Sequence, residues 1–332
     1  MTNLSPGTSE ALLTADPFIV EIEPAVVRYL GPIHSYSDIM ARVLFGTEAD
    51  SAVKRASWKP PYYQDHPNFS EVTAGIYHAK TERLNVGILP VENTKTSTVQ
   101  EVTDALLTGE FNILGEGSLL IDLVLAGDGD SVNDVRTIYS QSKPFGQATK
   151  LLRRRDFTQE HVESTSAAAE FVHRKGPTVA ALCSRRAALH YDLNVIEDSV
   201  QDDPNNQTRF LIVASRKGPR QPDLEMLKPG GRLGAEEQAV VSGIVSPTKP
   251  AVEDGFLRAM NQMHDMNIWY EQEGRRNSQQ QPAGGDRDYL IRFTGQPKNL
   301  WDVFKEERSF RDQMKFRLLG VYAVGKLYAE AS

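Results

Sequence analysis

Polar side chains that can donate hydrogen bonds recur where apolar, strand-like runs give way to helix-like runs. The hydroxyls of serine and threonine and the amide of asparagine can bind an anion without carrying a charge. They occur at four junctions, namely Ser35 with Ser37, Asn93 with Thr94, Ser140, and Ser164 with Thr165. A single residue of this kind ordinarily caps a helix. Four such junctions, without lysine or metal ligands, indicate a site that binds a small anion through neutral donors.

A further polar pair, Thr208 and Arg209, lies where a turn-rich segment enters the apolar run Phe210–Ala214. That run has the pattern of a buried strand. A threonine hydroxyl can both donate and accept, and an arginine guanidinium is suited to carboxylates. Taken alone, the pair is more typical of a strand edge with a solvated arginine than of a catalytic site.

The elements that would position these residues alternate between strand-like and helix-like patterns from about residue 26 to residue 215. This alternation predicts an α/β fold with parallel sheets. In such sheets ligands bind where strands end and helices begin, because free backbone N–H groups point at the ligand there. The predicted strands are 26–30, 86–91, 119–127, 135–140, 178–182 and 210–214.

The chain changes character after this region. Residues 217–237 are rich in proline, glycine and charge, which predicts a linker. The following segments read in the order βαββαβ, with strands at 239–246, 267–274, 288–295 and 316–324 and helices at 254–266 and 299–314. That order fits a ferredoxin-like unit, which we place at 238–328. Residues 1–24 have no signal-peptide pattern and are expected to form a disordered leader.

Composition narrows the classes of function. The chain has 332 residues and a formal net charge of -7, which argues against nucleic acid or an anionic membrane as the main partner. The single cysteine, Cys183, excludes an intramolecular disulfide and suits a reducing cytoplasm. The histidines are scattered, and neither a GxGxxG fingerprint nor a Walker A sequence is present. We therefore expect a soluble, cytoplasmic protein without a metal site or a nucleotide cofactor.

Five segments together resemble the motifs of the prephenate dehydratase family, in the family's order. They are 29–37 (YLGPIHSYS), 90–99 (PVENTKTSTV), 140–147 (SQSKPFGQ), 164–169 (STSAAA) and 202–210 (DDPNNQTRF). The shared order is far more specific than any one motif, and it favours a functional role for Thr208. The resemblance implies a two-lobed catalytic domain at 25–216, similar to periplasmic binding proteins, followed by a regulatory ACT domain at 238–328.

The resemblance also implies a chemistry. Prephenate has a ring carboxylate, a pyruvyl side chain and a ring hydroxyl, and loss of CO2 and water makes its ring aromatic. Thr208 would then be the proton donor or hydrogen-bonding partner of the leaving hydroxyl, and Asn93, Ser140 and Gln147 would line the cleft. Arg209 would either neutralise a substrate carboxylate or brace the cleft. Ser35, Thr94 and Thr165 would either bind substrate or only cap helices.

Several positions depart from the family pattern. His34 replaces a glycine, Gln141 a histidine, Lys143 a glutamine and Ser97 a glycine. The chain is thus a divergent relative, of a kind expected in a secondary-metabolite pathway. The effector signature of the ACT domain is eroded at 266–276, so we expect weak or absent inhibition by phenylalanine. A homodimer or homotetramer formed through that domain is expected to persist.

Three functions are considered for a chain with these motifs. The first is prephenate dehydratase, a carbon–oxygen lyase that makes phenylpyruvate for the biosynthesis of phenylalanine or another aromatic product. The second is a prephenate decarboxylase that keeps the hydroxyl; such relatives generally lack the threonine matched by Thr208, and also the ACT domain. The third is a non-catalytic regulatory protein, which predicts loss of Asn93, Gln147 or Thr208. All three residues are present, which favours the dehydratase.

Overall fold

The computed structural model describes residues 22–46, 61–79, 83–95, 97–236, 238–247, 269–275, 288–305 and 314–329. The strands are β1 (Val26–Leu30), β2 (Tyr62–His66), β3 (Asn85–Asn93), β4 (Ser97–Thr98), β5 (Phe111–Leu120), β6 (Val124–Gly127), β7 (Thr137–Ser140), β8 (Thr158–His161), β9 (Val179–Cys183), β10 (Asn194–Glu197), β11 (Gln207–Ser215), β12 (Ala239–Pro247), β13 (Trp269–Arg275), β14 (Tyr289–Gly295), β15 (Met314–Ala323) and β16 (Leu327–Tyr328). The helices are α1 (Tyr36–Phe45), α2 (Phe69–Tyr77), α3 (Gln100–Leu107), α4 (Ser142–Gln147), α5 (Thr149–Leu152), α6 (Thr165–Val172), α7 (Arg185–His190) and α8 (Pro297–Phe304). Residues 1–21 of the expected leader lie outside the described ranges.

The first lobe is built on a sheet with the strand order β16-β5-β11-β3-β1-β2, with β4 paired to β3. Strand β1 runs parallel to both β2 and β3, as the alternating pattern predicts. Strand β11, however, lies antiparallel between β3 and β5, so the sheet is mixed. The reason is topological: β11 begins beside the end of β5, where the Ile121 N–H donates to the Asn206 carbonyl at 2.8 Å. The chain between these two residues forms the second lobe.

The second lobe is built on a smaller mixed sheet with the order β10-β6-β9-β7-β8. The segment 119–127, predicted as one strand, is divided between β5 of the first sheet and β6 of the second. Asp122 lies at the crossing: its backbone carbonyl accepts from the Tyr36 hydroxyl at 2.7 Å, and its carboxylate accepts from Ser199 and Gln201. A charged residue with these partners explains why the apolar run breaks there and connects the two lobes.

Three of the helices that face the junction of the lobes begin at serine caps. The side chains of Ser35, Ser164 and Ser184 accept from the backbone N–H three residues ahead, at the starts of α1, α6 and α7. These bonds satisfy amide groups that would otherwise lack a partner in the first helical turn. The caps fix where each helix starts and so place the residues beside them.

The third sheet is antiparallel, with the order β13-β14-β12-β15, and α8 packs against it. The predicted helix at 254–266 lies outside the described residues. Leu227 and Leu233 are fully buried in the core of this unit, so the proline- and glycine-rich segment before β12 is packed against it and is not a solvated linker. Val240 and Tyr322 of this sheet share a second core with the first lobe. Within the described part of the chain, no helix is long and apolar enough to cross a membrane.

Candidate active site

A cavity of about 480 Å³ lies between the two lobes. Side chains from α1, β3 and β11 of the first lobe form one wall, and side chains from α4 and the start of α6 form the other. The predicted site residues that line it are Ser35, Asn93, Gln147, Thr165 and Thr208. Segments up to 173 residues apart (35 to 208) are therefore brought together at this cavity.

Thr208 is held by a hydrogen bond across the sheet. In the register of β11 against β3, Thr208 lies opposite Asn93, and the Asn93 Nδ2 atom donates to Thr208 Oγ1 at 2.9 Å. The same amide nitrogen lies 3.1 Å from the Gln207 carbonyl and 3.0 Å from Asn206 Oδ1, so its two hydrogens are shared among three acceptors, while Asn93 Oδ1 accepts from the Lys95 N–H at 2.9 Å. Since the threonine oxygen accepts from Asn93, its own hydrogen can be donated into the cavity.

Arg209 points away from the cavity. Successive side chains on a strand face opposite sides of a sheet, so Thr208 and Phe210 share the cavity face while Arg209 lies on the other. Its Nη2 atom donates to Glu92 at 2.8 Å, and its Nη1 atom lies 3.6 Å from the buried Glu116 carboxylate. Of the two roles left open by the sequence, its position favours that of a brace, because its charge is already paired.

Two other predicted residues also lie outside the cavity lining. Ser140 is fully buried, and its hydroxyl donates to the Leu182 carbonyl at 2.6 Å, which fastens β7 to β9. Thr94 Oγ1 accepts from the Gln207 N–H at 3.1 Å and so steadies the loop after β3. Both hydroxyls support neighbouring strands, and neither reaches the cavity wall.

The remaining predicted residues that line the cavity differ in their position and in whether a protein group already accepts from their hydrogen-bond donor. The Ser35 hydroxyl donates to the Leu30 carbonyl at 3.0 Å and accepts from the Asp38 N–H at 3.3 Å, so its donor serves the loop before α1. Thr165 is the first residue of α6, next to the capping Ser164. Gln147 is the last residue of α4, in the second lobe. Gln147 and Thr165 belong to the wall opposite Thr208.

Sequence reasoning missed several lining residues, and the most consequential is Lys143. It lies on α4 together with Ser142, just after Gln141, in the segment between the predicted residues Ser140 and Gln147. The sequence marks Lys143 as a departure from the family motif, but the expectation of neutral donors left it out of the predicted site residues. Tyr36 was missed as well, whereas Ser37 and Ser164, which also line the cavity, belong to the junctions that the sequence predicted. Within the described ranges, no group of three or more His, Cys, Asp and Glu side chains is arranged to hold a metal ion.

His34 lies at the contact between the lobes and is not among the cavity-lining residues. Its ring stacks on that of His190 with centroids 3.9 Å apart, and its carbonyl accepts from the Ser184 hydroxyl of the second lobe. Burial, followed by the nearby His190, lowers the pKa of His34 to about 4, with Asp38 acting in the opposite direction. The ring is therefore neutral in the folded protein at neutral and mildly acidic pH.

This shift predicts an acid sensitivity of the fold. In the unfolded chain His34 takes up a proton near the ordinary histidine pKa of 6.5, whereas in the folded protein it does so only near 4. Between these values the unfolded state binds more protons, so stability present above about pH 6.5 is lost as the pH falls towards 4. We expect melting temperatures measured between pH 7 and pH 4 to decline less in His34→Gly, since glycine also accepts the backbone φ of 67° at this position.

The exposed His161 provides the control, because His161→Asn removes a histidine outside the contact between the lobes. The His161→Asn variant should keep the decline of the unmodified protein. A decline in His34→Gly as steep as that of the unmodified protein would show that other groups cause the acid sensitivity.

Comparison with known proteins agrees with this geometry. The family model for prephenate dehydratase matches residues 27–218, which include both lobes, and the chain belongs to this family. It is 31% identical over 213 residues to the bifunctional chorismate mutase/prephenate dehydratase of Escherichia coli K12, covering 63% of this chain and 52% of that protein. The chain thus spans about half the length of this curated relative.

Two solved structures share the fold over most of their length. The prephenate dehydratase of Staphylococcus aureus Mu50 has a TM-score of 0.66 at 22% identity, covering 89% of this chain and 99% of that one. The prephenate dehydratase of Arthrobacter aurescens, solved in complex with L-Phe, has a TM-score of 0.66 at 18% identity, covering 90% of this chain and 89% of that one. The likeness extends beyond the two lobes into the third sheet.

Proposed function

We propose that the protein is a prephenate dehydratase that binds prephenate between its two lobes and converts it to phenylpyruvate, CO2 and water. The observation that carries the proposal is the pair formed by Thr208 and Asn93 on the cavity wall, 2.9 Å apart between Oγ1 and Nδ2. A leaving hydroxyl needs a proton or a strong hydrogen bond in the transition state. The hydrogen of the Thr208 hydroxyl, whose oxygen accepts from Asn93, is the donor that we assign to this role.

In the proposed reaction the bond between the ring and its carboxylate breaks, and the electron pair enters the ring as CO2 departs. The ring electrons then expel the hydroxyl at the opposite ring carbon, which leaves as water and makes the ring aromatic. One proton is consumed, because the substrate carries two carboxylates and the products are one monoanion, CO2 and water. Thr208 delivers that proton to the departing oxygen and regains one from solvent.

Asn93 acts through Thr208. Its amide nitrogen donates to the threonine oxygen, so the threonine hydrogen is turned away from Asn93. A hydrogen bond accepted by a hydroxyl also strengthens the one that it donates. The amide is itself held by the carbonyl of Gln207 and by the Lys95 N–H, which fixes its orientation. A threonine hydroxyl is a weak acid, and its placement therefore matters more than its pKa.

The product identifies the reaction. Incubation with prephenate should yield phenylpyruvate, recognised by its ultraviolet absorbance in base and by aromatic signals in the proton NMR spectrum. The His34→Gly variant should yield the same product, because His34 lies outside the cavity lining. A non-aromatic product that retains the hydroxyl would overturn the proposal in favour of a decarboxylase. The absence of any product would favour a binding protein.

We also propose that the third sheet with α8 is an ACT domain and that the protein acts in the cytoplasm as a homodimer or homotetramer. The strand order β13-β14-β12-β15 and the likeness to whole dehydratase chains support the domain assignment. Part of the eroded effector signature at 266–276 lies outside the described residues. For the remainder the structure gives the backbone of β13. Weak or absent inhibition by phenylalanine therefore stays a prediction.

A further inference from the structure

Lys143 is the one charged side chain among the described residues that line the cavity. The other polar groups there are hydroxyls, amides and backbone groups. No hydrogen bond or ion pair joins Lys143 to another residue within the described ranges. Lys143 is exposed and lines a cavity of about 480 Å³ without a protein partner, so its ammonium group is available to an anionic ligand.

The position of Lys143 determines which part of the substrate it meets. Lys143 lies on α4 in the second lobe, and Thr208 lies on β11 in the first lobe, so the two residues belong to opposite walls of the cavity. In prephenate the hydroxyl is on the ring carbon opposite the one that bears both the carboxylate and the pyruvyl side chain. With the hydroxyl at Thr208, the end of the substrate that bears both carboxylates would lie towards the wall that carries Lys143.

The chemistry distinguishes between these two carboxylates. The ring carboxylate loses its charge as CO2 forms, so an ion pair with it would stabilise the substrate more than the transition state and slow the reaction. The side-chain carboxylate keeps its charge throughout. An ion pair with that group stabilises the substrate and the transition state equally, which lowers KM and leaves kcat unchanged.

We propose that Lys143 binds the side-chain carboxylate of the substrate and thereby orients the ring hydroxyl towards Thr208. This inference rests on the proposed function. The product phenylpyruvate has lost the ring carboxylate but keeps the side-chain carboxylate. Lys143 therefore binds the product as well.

The test compares Lys143→Gln with the unmodified protein in turnover of prephenate and in calorimetric binding of phenylpyruvate. We expect KM to rise about 5- to 30-fold, the range between an exposed ion pair and a charged hydrogen bond, with kcat within about twofold. The Kd of phenylpyruvate should rise by a similar factor. Lys143→Arg, which keeps the charge, should restore both values to within about threefold of the unmodified protein.

Lys175→Gln is the matched control. Lys175 is an exposed lysine of the second lobe whose ammonium lies over the Phe171 ring, outside the cavity lining, and the substitution changes net charge by the same amount. It should leave both values unchanged, whereas an equal effect would indicate general electrostatic attraction and overturn the proposal. A raised KM with an unchanged Kd for phenylpyruvate would also overturn it, because the ammonium would then contact the ring carboxylate.

The same measurements separate this inference from the proposed function. If the unmodified protein neither forms nor binds phenylpyruvate, both fail. If it does both and Lys143→Gln behaves identically, only the role of Lys143 fails.

Discussion

Thr208→Val is expected to lower kcat about 10²–10⁴-fold, the range for loss of a general acid. That loss corresponds to about 3–5 kcal/mol of barrier at about 1.36 kcal/mol per decade. Valine keeps the shape of the side chain and its preference for a strand, so the fold should persist. KM should change little, because the hydroxyl acts when the ring hydroxyl leaves. Steady-state formation of phenylpyruvate measures both constants.

Two variants control this experiment. Thr208→Ser keeps the hydroxyl and should retain activity within about tenfold of the unmodified protein. Thr158→Val removes a threonine hydroxyl from the exposed strand β8, outside the cavity lining, and should leave kcat unchanged. Turnover close to normal in a folded Thr208→Val variant would refute the assignment of Thr208 as proton donor.

Glu116→Gln is expected to destabilise the protein by about 3–5 kcal/mol, the range for breaking a buried ion pair by removing one partner. The Glu116 side chain on β5 is 3% exposed and accepts two hydrogen bonds from Arg292 on β14, one of them 3.0 Å from Nε. Arg209 lies 3.6 Å away on the other side. The substitution removes the negative charge that the 11% exposed Arg292 pairs with between the first lobe and the third sheet. Urea unfolding followed by circular dichroism measures the loss.

A double variant shows whether the loss of this charge pairing causes the destabilisation. In Glu116→Gln/Arg292→Met neither charge remains, and much of the lost stability should return. Asp302→Asn breaks the exposed pair between Asp302 and Lys305, each 38% exposed, and should change stability by less than about 1 kcal/mol. Equal losses of stability in Glu116→Gln and Asp302→Asn would show that the buried ion pair stabilises the fold no more than the exposed one.

The predicted loss has a consequence for the active site. Arg209 follows Thr208 on β11 and is held by Glu92 and Glu116, while Glu116 is held by Arg292 of the third sheet. The strand that carries the proposed proton donor is therefore braced from its outer face by charges that reach into the C-terminal unit.

The sequence by itself determined the α/β class, the places where strands meet helices and the segments that contribute to the site. Short-range signals carried these predictions: apolar periodicity for β3 and β11, serine caps for α1 and α6, and family motifs around Asn93, Gln147 and Thr208. Each depends on residues that are neighbours in the chain. The prediction of a single strand at 119–127 was wrong because this segment is divided between two sheets. Apolar periodicity does not indicate which sheet a residue joins.

Only the tertiary structure decided which side chains meet. Asn93 donates to Thr208 because β11 returns antiparallel beside β3 in one register, and a shift by one residue would have turned Arg209 into the cavity instead. Glu116 pairs with Arg292 across 176 residues without any local pattern that links them. Lys143 and Thr208 line the same cavity because the second lobe packs beside the first. Register, strand direction and lobe closure follow from contacts between distant segments, and for that reason the structure was needed to assign roles to these residues.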